Sequence, residues 1–341
     1  MPAPRPVRAY QLYVGVDIAA ASLTAAWMTS GAPPQHALKV DQTPQGLAAL
    51  QARLLAAGGA PADILVVMEA TGSYWILPAT TLCQAGFTVS VINPAQAHYF
   101  AKALLQRAKT DAIDAQTLAV LAALLQPEPW APPPAIYTEL QQRLTHRDTL
   151  IALRQQLRNQ LHALSHLPTV VASVRGQMEA LLTSVEEHIT GVEREIPQVL
   201  AQDAQWAKAA QLLDTIPGIG LLTAAWLLVT TLNFTVCETV EQATAYAGLA
   251  PNPRESGTSV RGRATIGHEG NRRLRTALYL ASLSAAQYNP LIHAFYSRLR
   301  LAGKPTKVAR CAAARKLLHL AWAVVRTGRP FDPHYAHQRT A

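Results

Sequence analysis

The chain has 341 residues, of which 50% are hydrophobic, with a formal net charge of +9 and three cysteines. That length allows two or three domains with sizeable cores. Its apolar runs stay below the roughly 18 residues of a membrane helix, and the opening MPAPRPVRAY lacks the apolar stretch of a signal peptide. Cys83, Cys237 and Cys311 match neither a zinc pattern nor a disulfide framework, so a soluble protein of a reducing cytoplasm is expected.

Three short strand-like runs come first, near Tyr13–Asp17, Leu23–Met28 and His36–Val40, joined by links short enough for antiparallel hairpins. A helix is predicted from Pro44 to Ala57, with Leu47, Leu50, Leu54 and Leu55 on its apolar side. A strand over Ile64–Met68, a helix over Tyr74–Gln84, a strand over Phe87–Ile92 and helical sequence from Pro94 to Leu125 follow. Two apolar runs end in an acid, Asp17 and Glu69, and KTDAIDA carries Asp111 and Asp114 at i and i+3 on one helix face. Buried carboxylates are costly unless paired or bound to a metal, so this set points to an oxygen-ligand site for hard divalent cations. The plainer reading is a turn aspartate and a solvated helix face.

QPEPWAPPP, residues 126–134, reads as a linker because its prolines forbid helix and sheet interior. From about Tyr137 to Ala201 the leucines and β-branched residues step by three and four. Pro168 interrupts the pattern and Pro197 is expected to end it. This predicts two long helices, either an intramolecular hairpin or a coiled coil that docks a second copy.

LLDTIPGIGLLTAAWLLV then resembles half of a helix-hairpin-helix. Gly218 and Gly220 would let backbone approach a phosphate at a helix N-terminus, or simply form a tight turn. PNPRESGTSVRGRATIGHEG, residues 251–270, reads as a Gly/Ser/Arg-rich loop holding Ser256 and Ser259 beside Arg254, Arg261 and Arg263. Such a serine either reaches a DNA phosphate whose charge the arginines neutralise, or merely grips it by hydrogen bonds. A helical tail follows with Arg272, Arg273 and Arg275 in its first turn. From Arg254 to Arg339 there are 16 Lys and Arg against three acids, net +13, while the rest of the chain carries 14 basic and 18 acidic residues, net −4. That asymmetry predicts a C-terminal surface for nucleic acid beside a metal-binding N-terminal half.

These segments together resemble the DEDD-type transposases of insertion-sequence family one-hundred-ten, the bridge-RNA-guided recombinases. VGVD, VVMEATGSYW and AKTDAIDA match the family's RuvC-like half. IPGIGLLTA, YAGLAPNPRESG, GHEGNRRLRTAL and the run from Phe295 through GKPTKVARCAAARKLL match its transposase half. The resemblance spans about Tyr10 to Pro333, and departs at His268, where a lysine is more usual.

The implied fold is α/β plus α. An RNase H-like (RuvC-like) domain over 10–125 precedes a helical coiled-coil segment over 136–203. A mainly helical transposase domain with the helix-hairpin-helix-like element then spans 206–333. The resemblance implies that Asp17, Glu69, Asp111 and Asp114 bind magnesium, as two ions, and that a serine attacks DNA. Ser256, in ESG, best matches the family position, with Ser259 second. It further implies target and donor double-stranded DNA, a structured non-coding bridge RNA, a homo-oligomer (dimer or tetramer), and a bacterial, nucleoid-associated location. The alternative is a RuvC-like Holliday-junction or structure-selective endonuclease, in which water replaces the serine.

Overall fold

The computed structural model describes residues 8–35, 37–106, 108, 110–256, 260–267 and 269–334. His36, where the third strand was expected to begin, lies outside the described residues, as do Ser259 and His268. The chain divides into two compact units between Pro132 and Pro133.

The first unit is built on β1 (Leu12–Ile18), β2 (Ser22–Met28), β3 (Leu38–Asp41), α1 (Pro44–Gly58), β4 (Ile64–Glu69), α2 (Ile76–Gln84), β5 (Thr88–Ile92), α3 (Pro94–Ala103) and α4 (Asp111–Leu125). The five strands form one mixed sheet in the order β3-β2-β1-β4-β5. β1 and β2, and β2 and β3, are antiparallel, whereas β1–β4 and β4–β5 are parallel. The central strands read as unbroken apolar runs because both faces of the sheet are covered. Leu12, Val14, Val16, Ile64, Val66 and Met68 join Leu47, Leu50 and Leu54 of α1 in one core. Tyr13, Leu65 and Val67 pack with Leu118, Leu121 and Ala122 of α4 on the other face. Odd-numbered residues of β1 therefore face α4, and Asp17 is one of them.

Gly15 shows how tight that face is. A Cβ there would lie 2.1 Å from the Ala115 carbonyl oxygen and 2.3 Å from the Ala119 nitrogen, both in the backbone of α4.

The helical stretch expected from Pro94 to Leu125 is two helices. α3 stops at Ala103, and Leu105 takes a positive φ of 56°. A fresh start at Thr110, whose hydroxyl accepts from the Ile113 N–H, opens α4. The proline-rich linker is not free either. The Trp130 N–H donates to the Val89 carbonyl at 2.7 Å, and the Ser90 hydroxyl donates to the Pro127 carbonyl at 2.8 Å. The linker thereby covers the open edge of β5, and the Trp130 ring packs edge-on against Trp75.

The second unit begins with two long antiparallel helices, α5 (Ala135–Leu164) and α6 (Ala172–Leu200). They pair within one chain. Leu150 and Leu157 pack on Val185 and Ile189, flanked by Arg143–Glu195 at 2.7 Å and Arg147–Glu193 at 2.6 Å. Pro197 does not end α6. It sits in the last turn, where its carbonyl still accepts the Ala201 N–H.

α7 (Ala204–Asp214), α8 (Leu221–Thr231), α9 (Val240–Tyr246), α10 (Arg272–Tyr288), α11 (Pro290–Leu301) and α12 (Thr306–Thr327) complete a helical bundle. The base of the hairpin is built into it, because Leu140, Leu144, Ile196 and Leu200 share a core with Leu213, Leu228, Leu278 and Leu317. The segment expected as a loop between α9 and α10 contains a two-stranded antiparallel ribbon, β6 (Asn252–Ser256) and β7 (Val260–Thr265). Its Gly, Ser and Arg content disguised the pairing. Among the described residues no helix is long and apolar enough to cross a membrane.

Candidate active site

Strand register sets the site in the first unit. β1 and β4 run in step, Val16 beside Met68, so one residue further brings Asp17 level with Glu69 at the C-terminal ends of both strands. Paired strands lie about 4.8 Å apart, which makes these two acids neighbours on the face that α4 covers. α4 begins over that end of the sheet and carries Asp111 and Asp114 in its first turn. Carboxylates are favoured there, because the first-turn N–H groups carry partial positive charge.

Asp17 takes the strain of this grouping. Burial pushes its carboxyl up from the ordinary 3.8, and the nearby charges of Asp114 and Asp111 push it further. The Ile18 backbone N–H works against them, and Glu69 adds a smaller upward push. Asp17 and the three acids that press on it at one sheet end form an oxygen donor set of the kind a hard divalent cation takes. That crowding of oxygen donors around Asp17 is the observation by which the residues suit a divalent cation. Among the described residues no group of three or more His, Cys, Asp or Glu side chains is placed so as to hold a metal ion. Two of the acids have local partners. The Thr71 hydroxyl donates to Glu69 Oε1 at 2.7 Å, and Lys39 Nζ lies 3.3 Å from Asp111 Oδ2. Sequence reasoning missed both. Thr71 follows Glu69 by two residues and was within reach of inspection, whereas Lys39 is 72 residues from its partner and needs the sheet register.

In the second unit the expected contacts separate into two groups. Gly218 serves packing. At φ +101° it brings the backbone so close to α10 that a Cβ would meet the Ala285 Cβ at 2.5 Å and its Cα at 2.7 Å. Gly220 is exposed at the N-cap of α8, where a Cβ would meet nothing. Arg272 is exposed. Arg273 is half-buried, its guanidinium 4.0 Å above the Trp226 ring and its Nη2 donating to Asp148 Oδ1 at 2.9 Å. Its Nε is 2.8 Å from Oδ2 but off the hydrogen-bond line, so charge rather than a second good bond holds that side. Burial lowers Arg273 and raises Asp148 despite their attraction, so desolvation outweighs pairing at both ends. Arg275 Nη1 donates to the Glu269 carbonyl at 2.8 Å. Among the described residues Arg272 has no such partner.

Ser256 is the last residue of β6, in register with Val260, and Arg254 pairs with Gly262 across the ribbon. Arg261 stands opposite Glu255, and Arg263 lies two residues further along β7. Elsewhere on this unit, Phe295 lies beneath both Arg298 and Lys316, and Arg310 stands near Tyr279 and Tyr296. Basic side chains interleaved with aromatic rings suit a nucleic-acid surface.

An acid-ended α/β sheet and a basic helical bundle in one chain define a protein equipped to handle a polyanion. Known proteins make the class specific. A DEDD transposase model matches residues 14–169, and a model described as transposase IS116/IS110/IS902 family matches residues 210–297. The pilin gene-inverting protein of Moraxella lacunata is 32% identical over 326 residues, covering 94% of this chain and 97% of its own. That of Moraxella bovis is 31% identical over the same span. The transposase for insertion sequence element IS1328 of Yersinia enterocolitica is 28% identical over 306 residues, covering 80% of this chain and 86% of its own. The chain belongs to the IS116/IS110/IS902 family of transposases. It is a DNA transposase/recombinase, and its partner is DNA.

Proposed function

We propose that the chain cuts and rejoins the DNA of a mobile element through a covalent phosphoserine intermediate, with the first unit holding the metal and the second supplying the nucleophile. The carboxylate group of Asp17, Glu69, Asp111 and Asp114 carries the reading, because a divalent cation would relieve the pressure that the other acids put on Asp17. Magnesium, as two ions, would polarise the scissile phosphate and stabilise the leaving oxygen. In the attack the Ser256 oxygen–phosphorus bond forms as the phosphorus–oxygen bond to the sugar breaks, and the hydroxyl proton passes to a neighbouring base or solvent. Rejoining reverses this with a different strand's hydroxyl, so bond energy is conserved and no nucleotide hydrolysis is needed.

The working division is metal chemistry over 10–125, a helical spacer over 136–203 and strand transfer over 206–333. Arg254, Arg261, Arg263, Arg272 and the exposed N-terminus at Gly220 are assigned to phosphates. Gly218, Arg273 and Arg275 are assigned to support the fold around them, on the strength of their contacts. The family likeness supports guidance by a structured bridge RNA, double-stranded target and donor DNA, and a homo-oligomer. The net charge of +13 over Arg254–Arg339 suits both nucleic acids.

The test is trapping. Full-length protein, guide RNA and target DNA are quenched in denaturant, and covalent adducts are mapped by mass spectrometry. An adduct on Ser256 that disappears in Ser256→Ala, with nucleic-acid binding retained, is the expected result. Cleavage with no adduct would replace the serine by water, as in a junction endonuclease. An adduct on Ser259 would move the role by three residues.

A further inference from the structure

The sheet register puts one more charged residue in line with the carboxylates. Asp17 pairs with Thr24 across β1 and β2, and Thr24 pairs with Lys39 across β2 and β3. Directly paired residues of antiparallel strands project from the same face. That face is the one under α4, since Leu23, Leu38 and Val40 belong to the opposite core. Glu69, Asp17, Thr24 and Lys39 therefore form one row across four strands, with Asp111 and Asp114 above it. At the end of the row Lys39 Nζ reaches Asp111 Oδ2 at 3.3 Å.

As a strut this ion pair is weak. The two side chains are 62% and 56% exposed, and exposed pairs contribute little to stability. Its position matters more. Asp111 belongs to an acid group whose charges already repel, and the ammonium gives one of those carboxylates a cation from within the chain.

We propose that Lys39 is a positioning residue that occupies Asp111 in the metal-free protein and competes with the divalent cation for that carboxylate. A cation that binds Asp111 must displace the ammonium, so Lys39 sets how much free metal loads the site. The inference rests on the metal-site reading above and concerns loading rather than the cutting step.

The test uses the full-length chain without nucleic acid and Mn²⁺ as the probe, with free ion counted by electron paramagnetic resonance and binding heat by calorimetry. Lys39→Met should bind Mn²⁺ about two- to fivefold more tightly than the unmodified chain, the range that an exposed ion pair supports. Lys39→Gln should do the same, and Lys39→Arg should stay close to the unmodified chain. Lys102→Met, which removes one positive charge from α3 of the same unit, should change affinity less. Unchanged or weaker binding by both Lys39→Met and Lys39→Gln overturns the competition, as does an equal gain from Lys102→Met. If the unmodified chain and every variant bind no Mn²⁺, the metal-site reading itself falls, and Lys39 with it.

Discussion

The contact between Gly15 and α4 makes a demanding test of how the site is held. In Gly15→Ala the new methyl would meet the Ala115 oxygen at 2.1 Å, the Ala119 nitrogen at 2.3 Å and the Leu118 Cβ at 2.6 Å. Two of the three atoms are helix backbone, so no side-chain rotation relieves the clash. Restoring van der Waals separation requires α4 to retreat by roughly 1 Å. Overpacking a filled core costs about 1–3 kcal/mol, and the rigid neighbours here place the substitution at the upper end. Alanine recovers about 0.5–1 kcal/mol by restricting the unfolded chain, which leaves a net loss of about 2 kcal/mol. For a unit of this size that lowers Tm by about 5–10 °C. Unfolding of the metal-free chain, followed by the fluorescence of buried Trp27, reads it directly. Because α4 carries Asp111 and Asp114, cleavage should fall as well, by up to about a hundredfold for an ångström of misplacement. Gly176→Ala on α6 is the control: its Cβ meets nothing, and a helical Gly→Ala exchange should gain up to about 1 kcal/mol. A Gly15→Ala protein with unchanged Tm and full cleavage would refute the close packing of α4 on β1.

Asp17→Asn should raise the Tm of the metal-free chain at pH 7, because Asp17's pKa is raised and its charge opposes folding above that pKa. The gain should shrink as pH falls towards 3.8, and no gain at pH 7 would contradict the crowding of the four acids. Asp148→Ala strands the half-buried Arg273 and should destabilise the second unit by about 1–3 kcal/mol, less than for a fully buried pair because both side chains stay about one-third exposed. Urea unfolding measures this, and Arg272→Gln should leave stability unchanged while weakening nucleic-acid binding in a salt-dependent titration. Burial, followed by Arg315, lowers the His319 pKa below 6.5, with Glu241 opposing and Lys316 adding to the lowering. The unfolded chain then protonates first, so stability is lost as pH falls below 6.5, and His319→Gln should flatten the change in Tm between pH 7.5 and 5.5.

The sheet was largely legible because both faces of β1 and β4 are buried, which produces the unbroken apolar runs Tyr13–Val16 and Ile64–Met68. An acid at the end of such a run stands out without any knowledge of pairing. Lys39 did not stand out, since its meaning depends on a register fixed by β1, β2 and β3 together. The break between α3 and α4 was signalled by Thr110 before Asp111, but the apolar residues on either side masked it. Gly218 illustrates a different limit. A glycine that brings backbone close to a phosphate and one that brings it close to Ala285 look identical in sequence, and only the packing separates them.

Net charge likewise located the basic region without assigning its members. Arg272, Arg273 and Arg275 lie within one turn of α10, yet helical phase sends them to solvent, to Asp148 with Trp226, and to the Glu269 carbonyl. A half-buried arginine stacked on an indole has already exchanged its water for protein, so a phosphate would have to break that pairing to recruit it. An exposed one releases only counterions when phosphate arrives, and this release is the main source of nucleic-acid affinity. The same principle operates in reverse among the acids. Burial first, and then the charges of Asp114 and Asp111 in the first turn of α4, push the Asp17 carboxyl up. In the proposed reading, a divalent cation entering that group would gain most beside Asp17, whose charge is least tolerated. On the same reading, exposed cations such as Arg272 would hold DNA, and the acids around Asp17 at the sheet end would be where it is cut.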